Sequence, residues 1–239
     1  MINNSAYAQT TIRRQYEHYG KLQLFYHIAA IGENWQDILL EQIGIVQDLK
    51  LTTPVCGFVG SNKDRIWAEK NGANIASYHP DIKQYETITL KLLYDWSHHN
   101  KQSAVLYFHT KGASNSNAEI PRHWRYLMTD YLIKDYDFNL KLLHIVDLVG
   151  VDYVHSNYPH FSGNFWMARC DWIAQLDDPW EHRKNIKFHY GGHPWSRLHA
   201  EFWVCSKPKY IAESLCCTNQ VLYNGHEVFN IYKTQEGRK

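Results

Sequence analysis

Three short runs bring together side chains that can do chemistry. In the first, an apolar stretch ends abruptly in His109-Thr110-Lys111-Gly112. Polar groups at such an end project past the strand. Lys111 can meet a phosphate as a point charge, and Gly112 lets backbone and ligand approach closely. The run also fits an ordinary strand end with a solvated lysine. The second runs from His155 to Arg169 and alternates His160, Ser162 and Asn164 with Phe161, Phe165 and Trp166 around Gly163. Sugars present apolar C–H faces and hydroxyl rims, and this mixture suits them. A turn entering an aromatic core strand is the plainer reading; it is preferred for Phe165, and the site reading for His160 and Asn164. The third is Trp195-Ser196-Arg197-Leu198-His199-Ala200-Glu201-Phe202-Trp203. On a helix Arg197 and Glu201 share a face. They form either a surface ion pair of little worth or a working pair, with Arg197 on a diphosphate and Glu201 accepting a proton. Arg122 and Arg125 add two cations near a helix start, where anions are favoured.

Composition limits the setting. The chain has 239 residues, and 25 Lys+Arg against 24 Asp+Glu leave a net charge of +1. Neither a broad nucleic-acid-binding surface nor an acidic solvating tail is expected. Apolar residues at 44% suffice for a core. The 15 His, 17 Tyr and 9 Trp are too many for one core to hold. No apolar run reaches membrane-spanning length, and the start lacks a basic and an apolar leader segment, so a cytoplasmic protein is expected. Five cysteines at Cys56, Cys170, Cys205, Cys216 and Cys217 match no zinc or redox spacing and read as reduced thiols.

The elements that must position these runs follow from periodicity. Strands are expected at 22–28, 54–59, 74–78 and 104–108, alternating with helices at 35–49, 65–71 and 85–99. Helices are further expected from Pro121 to about 132, at 138–149, at 170–176 and at 198–205. Strands are expected at 153–155, 164–168 and 210–212, with a loop over 177–195. The alternation implies a single α/β domain, with a core at about 20–215 between polar extensions. Its mainly parallel sheet carries helices on both faces. Ligands then bind beyond the carboxyl ends of the strands. No GxGxxG and no GxxxxGK[ST] occurs, so dinucleotide and P-loop readings lack support.

FHTKG after a strand, then SGNFWMAR, then RLHAEFW resembles glycosyltransferases with a GT-A-like, Rossmann-like fold, above all the rhamnan synthesis F-type family of surface and capsular polysaccharide synthesis. The match spans about residues 22–205. The resemblance implies sugar transfer from a nucleotide-sugar donor to a glycan or lipid-linked glycan acceptor, the latter bringing the enzyme to a membrane surface. On it, Glu201 is the general base, with Asp152, His109 and His155 as alternatives. Lys111 and Arg197, with Arg122 or Arg125, neutralise the diphosphate. His160 and Asn164 bind hydroxyls, Trp166 packs on a sugar face, and Thr110, Gly112, His155, Ser162 and Gly163 complete the binding loops.

Many GT-A enzymes carry a metal-binding Asp-x-Asp at the strand end occupied here by His109, Thr110 and Lys111. Here the one such motif, Asp135-Tyr136-Asp137, lies in a helical stretch, so a Mg²⁺ or Mn²⁺ requirement is left open and no metal ligand is assigned. A non-catalytic carbohydrate-binding module fits the aromatics equally well but needs no phosphate site. A histidine-rich metal hydrolase would need a spacing such as HExxH, which does not occur.

Overall fold

The computed structural model describes residues 21–113, 119–186, 189–190, 193–194 and 198–216. The first strand, β1 (Leu22–Ala29), is apolar but for Gln23 and His27 and is buried along most of its length because both its faces are covered. Helix α1 (Trp35–Asp48) follows and buries Trp35, Ile38, Leu39, Gln42, Ile43 and Val46, the single stripe of an amphipathic helix. Next come β2 (Val55–Val59), α2 (Asn62–Lys70), β3 (Asn74–His79), α3 (Thr87–His99) and β4 (Ala104–His109). Ser61 caps α2 by accepting the Asp64 amide at 3.1 Å.

Beyond β4 stand α4 (Glu119–Met128) and its π-helical continuation Thr129–Lys134. Then follow α5 (Tyr136–Leu142), β5 (Leu148–Gly150), β6 (Tyr153–Val154), β7 (His160–Phe161) and β8 (Trp166–Arg169). The remaining elements are α6 (Cys170–Ile173), α7 (Pro179–Asn185), the ribbon β9 (His189–Tyr190) and β10 (His193–Pro194), α8 (His199–Trp203) and β11 (Ala212–Ser214).

Seven strands form one sheet in the order β11-β5-β8-β4-β1-β2-β3. Only β8 runs antiparallel to its neighbours. The chain moves from β1 outward to β3 and then returns to place β4 on the other side of β1. The crevice between the ends of β1 and β4 is therefore the topological switch point. One core face gathers Leu24, Tyr26, Ile28, Leu106 and Phe108 under α1 and α4. The other gathers Phe25, Val105, Tyr107, Leu90, Leu93, Trp166 and Trp203 under α3, α6 and α8. Helix α3 sits so close to β2 that a Cβ on Gly57 would lie 2.1 Å from Thr89 Oγ1.

Two expectations need correction. The stretch 138–149 is not one helix: α5 ends at Leu142, and Leu148–Gly150 is a buried strand inside the sheet. A short apolar run that is buried on both faces carries no period that separates strand from helix. The stretch 177–195 is not all loop. Asp178 accepts the Trp180 amide at 2.8 Å and starts α7, with Pro179 in its first turn. Tyr153-Val154 pairs with β7 in a separate ribbon rather than joining the main sheet.

Candidate functional site

At the switch point, His27 of β1 and His109 of β4 are register partners on adjacent strands. They share the sheet face covered by α3. His27 Nδ1 bonds Thr89 Oγ1 of α3 at 2.8 Å. His109 donates its Nε2–H to the Gly163 carbonyl at 2.9 Å, and its ring packs edge-on against Phe165 at 5.2 Å. This bond ties the end of β4 to the loop that enters β8.

A carboxylate forms the hub. Glu86 immediately precedes α3, and its side chain does not cap the helix. Its Oε2 instead accepts the Tyr107 hydroxyl at 2.6 Å and the Asn164 amide at 2.5 Å. Asn164 Oδ1 in turn accepts the Trp166 indole N–H at 2.8 Å. Trp166 and Tyr107 stack at 5.0 Å. Glu86 is half-buried, so the chain of bonds runs from the core to the cleft. The start of a helix is also where a negative charge is favoured.

Backbone conformation fixes this loop. Gly163 has φ +86° and Asn164 φ +56°, both left-handed. A Cβ on Gly163 would meet Met128 Sδ at 2.7 Å and Trp124 at 3.1 Å, so glycine is required by conformation and space together. Asn is among the side chains that tolerate the left-handed region best.

Electrostatics keep the two histidines neutral. Burial pushes His27 from 6.5 down to about 4; the Glu86 charge opposes this and His109 adds to it. Burial also takes His109 to about 4, helped by the Lys111 charge and opposed by the Gly163 carbonyl and Glu201. Burial raises the Tyr107 hydroxyl well above its ordinary value, with Glu86 and then Glu201 reinforcing it. Tyr107 and His109 thus both feel Glu201, which lies half-buried on α8. A third histidine stands at the start of α8: His199 Nε2 bonds Thr87 Oγ1 at 2.7 Å, and burial lowers it to about 3.

The structure sorts the residues expected from sequence. It brings together His109, Lys111, Gly163, Asn164 and Glu201. The Lys111 ammonium lies 4.2 Å from the centre of the Trp124 ring, just beyond the end of β4. Gly112 has φ +89°, as a turn beyond the strand requires.

Other expected residues hold the scaffold. Trp166 is fully buried and stacked on Tyr107, so it presents no face to a sugar. Arg125 is 4% exposed and gives its guanidinium to Glu41, at 3.0 and 2.9 Å, and to the Lys111 carbonyl at 3.0 Å. It is a paired strut, not a cation waiting for phosphate. Thr110 is buried, accepts the Ala29 amide at 3.0 Å and ties β4 to β1. Ser162 is buried as well. Arg122 is exposed on α4, and His155 is exposed beyond β6. His160 donates Nδ1–H to the Tyr158 carbonyl at 2.8 Å and packs against Phe202. Asp152, an alternative base, is buried with φ +53°. Arg197 lies outside the described residues.

Sequence reasoning did not single out His27, Glu86 or the Tyr107 hydroxyl. A histidine inside an otherwise apolar strand was the available signal for His27. Glu86 carried none, because one acid before a helix is commonplace. Among the described residues no group of three or more His, Cys, Asp or Glu side chains is arranged to hold a metal. Asp135 and Asp137 are exposed at the start of α5. Cys56, Cys170 and Cys205 are free thiols, and burial raises each to about 12.

The fold and crevice define a mixed α/β protein with a polar site at its switch point. Over residues 23–219 the chain matches the family described as domain of unknown function DUF8361, and it belongs to that family. No curated protein matches it with significance. No helix among the described residues is long and apolar enough to cross a membrane.

Proposed function

We propose that the protein is a glycosyltransferase of the GT-A-like class, moving a sugar from a nucleotide-sugar donor to a glycan or lipid-linked glycan acceptor. The observation that carries the reading is the convergence, at one switch-point crevice, of a cation, two carboxylates and a pair of neutral histidines. Lys111 lies beside His109, whose ionisation it suppresses. Glu86 and Glu201 both bear on Tyr107. A diphosphate needs the cation, a sugar needs carboxylate and amide acceptors and donors, and transfer needs a base.

In the proposed single displacement the acceptor hydroxyl attacks the anomeric carbon and gives its proton to Glu201. The bond to the nucleoside diphosphate breaks, and Lys111 offsets the negative charge that the leaving group gains. The centre between them is oxocarbenium-like, as in glycoside hydrolysis. Glu86 orients Asn164, whose amide is held on its other side by Trp166. His109, neutral near pH 7, spends its Nε2–H on Gly163 and so offers Nδ1 as an acceptor. Expected partners are therefore a nucleotide sugar and a neutral or lipid-linked glycan, not nucleic acid.

The test is a thermal-shift panel of nucleotide sugars, with and without Mg²⁺ or Mn²⁺, followed by product analysis with the donor that stabilises most. Specific stabilisation and transfer are expected, and the cation arms establish whether a divalent ion contributes. Stabilisation by no nucleotide sugar in either arm overturns the reading. Glycan binding without nucleotide binding or turnover identifies a carbohydrate-binding module instead.

A further inference from the structure

A second concavity lies on the outer side of α8. It has a volume of about 310 Å³ and is lined by Asn157, Tyr158, Asp177, His182, Asn185 and Phe202, among others. That is at the small end of ligand pockets, which run roughly 300–1,000 Å³; it suits a sugar unit better than a whole nucleotide sugar.

Its chemistry is that of a neutral polyhydroxylated ligand. The rings of Tyr158 and Phe202 stack at 5.3 Å and 30°, and Tyr158 is 37% exposed. Phe202 is buried beneath it, so the Tyr158 ring is the apolar surface of the kind that C–H faces of sugars cover. Around it stand two carboxamides, Asn157 and Asn185, each both donor and acceptor. His182 donates Nε2–H to the His199 carbonyl at 3.1 Å, and burial lowers its pKa, so the neutral ring keeps Nδ1 as an acceptor. Among the described lining residues there is no Lys or Arg, and the acid among them, Asp177, is paired with Lys207 at 2.7 Å.

Position links the pocket to the crevice. Phe202 follows Glu201 on α8, and successive helical residues point about 100° apart. One residue thus bears on Tyr107 and His109 while the next lines the pocket.

We infer that this pocket is a saccharide-binding subsite separate from the donor crevice. On the transferase reading it holds the acceptor glycan and leads a hydroxyl toward Glu201. That role rests on the transferase reading; sugar binding in the pocket does not.

Saturation-transfer NMR on the full chain with methyl glycosides of neutral hexoses and 6-deoxyhexoses tests it. Tyr158→Ala and Asn185→Ala are compared with the wild type, with Tm confirming that each folds. At least one glycoside is expected to bind, each variant weakening it about tenfold while nucleotide-sugar stabilisation stays unchanged. Absence of any glycoside signal, or a signal indifferent to both variants, overturns the proposal. So does competition between glycoside and nucleotide sugar for these residues. Variant-sensitive glycoside binding with no nucleotide-sugar effect sustains the pocket and removes the transferase reading.

Discussion

Under α1 and α4, the buried polar side chains close upon one another. The Tyr26 hydroxyl donates to Gln42 at 2.7 Å, and Gln42 donates to the His109 carbonyl at 3.3 Å. Arg125 is clasped by Glu41. Under α3 and α8, the corresponding groups form a chain that starts at a buried indole and ends at the half-buried Glu86, with Glu201 close by. On both faces the polar atoms of these networks are hydrogen-bonded, as a low-dielectric interior favours. The difference is where the networks stop. A closed network serves folding, while one that ends at a cleft can present groups to a ligand. Burial of polar residues by itself therefore does not mark a site.

The largest expected contrast is in turnover. Glu201→Gln should lower sugar transfer by roughly 10²–10⁴-fold, the usual worth of a positioned base. Its unfolding free energy should stay within about 0.5 kcal/mol of the wild type. Near wild-type turnover in this folded variant removes Glu201 as the base and breaks the contrast at its centre.

The second concerns pH. A His27 held near 4 in the folded chain and near 6.5 in the unfolded one binds its proton first when unfolded. Its contribution is therefore complete above about pH 6.5 and disappears as pH falls through about 4. For His27 alone this is on the order of 3 kcal/mol. Urea titrations should show stability falling with pH across that window, and His27→Gln should flatten the fall. An equal slope in both proteins contradicts the placement of a neutral histidine under α3.

On the closed face, Arg125→Met should lower stability by about 2–3 kcal/mol, because it strips the partner from the partly buried Glu41 and a donor from the Lys111 carbonyl. Chemical denaturation measures it, and a loss below about 0.5 kcal/mol would reassign Arg125 to a spare cation. The smallest effect is expected from Trp166→Phe. This keeps the stack on Tyr107 but removes the N–H donated to Asn164, for about 1–2 kcal/mol. If Asn164 is positioned through that bond, KM for the donor should rise as well, which a purely structural role would not produce.

The first half of the fold was readable because its elements carry one clear period each. β4 is an apolar run up to His109, β1 is apolar but for Gln23 and His27, and α1 has a single stripe. β5 is hidden in the sequence because three buried residues have no period, and α7 because an Asp-Pro start serves a turn as well as a helix. In the site, His109, Lys111, Gly163 and Asn164 were legible as polar or glycine positions at the ends of apolar runs, whereas Glu201, inside α8, was legible only through the family resemblance. Trp166 and Arg125 misled, since an indole or a guanidinium looks the same in sequence whether it faces a ligand or a partner. Their partners, Tyr107 and Glu41, lie 59 and 84 positions away.

By itself the sequence determined the α/β alternation, the near-zero charge and the location of polar groups at strand ends. Those properties are local, set by spacing along the chain. Only the tertiary structure decided that β4 returns beside β1, which makes His27 and His109 neighbours. It also decided that α3 places Glu86 against Tyr107 and Asn164. Such choices depend on the order of strands and on the register between them, and neither is written in any single segment.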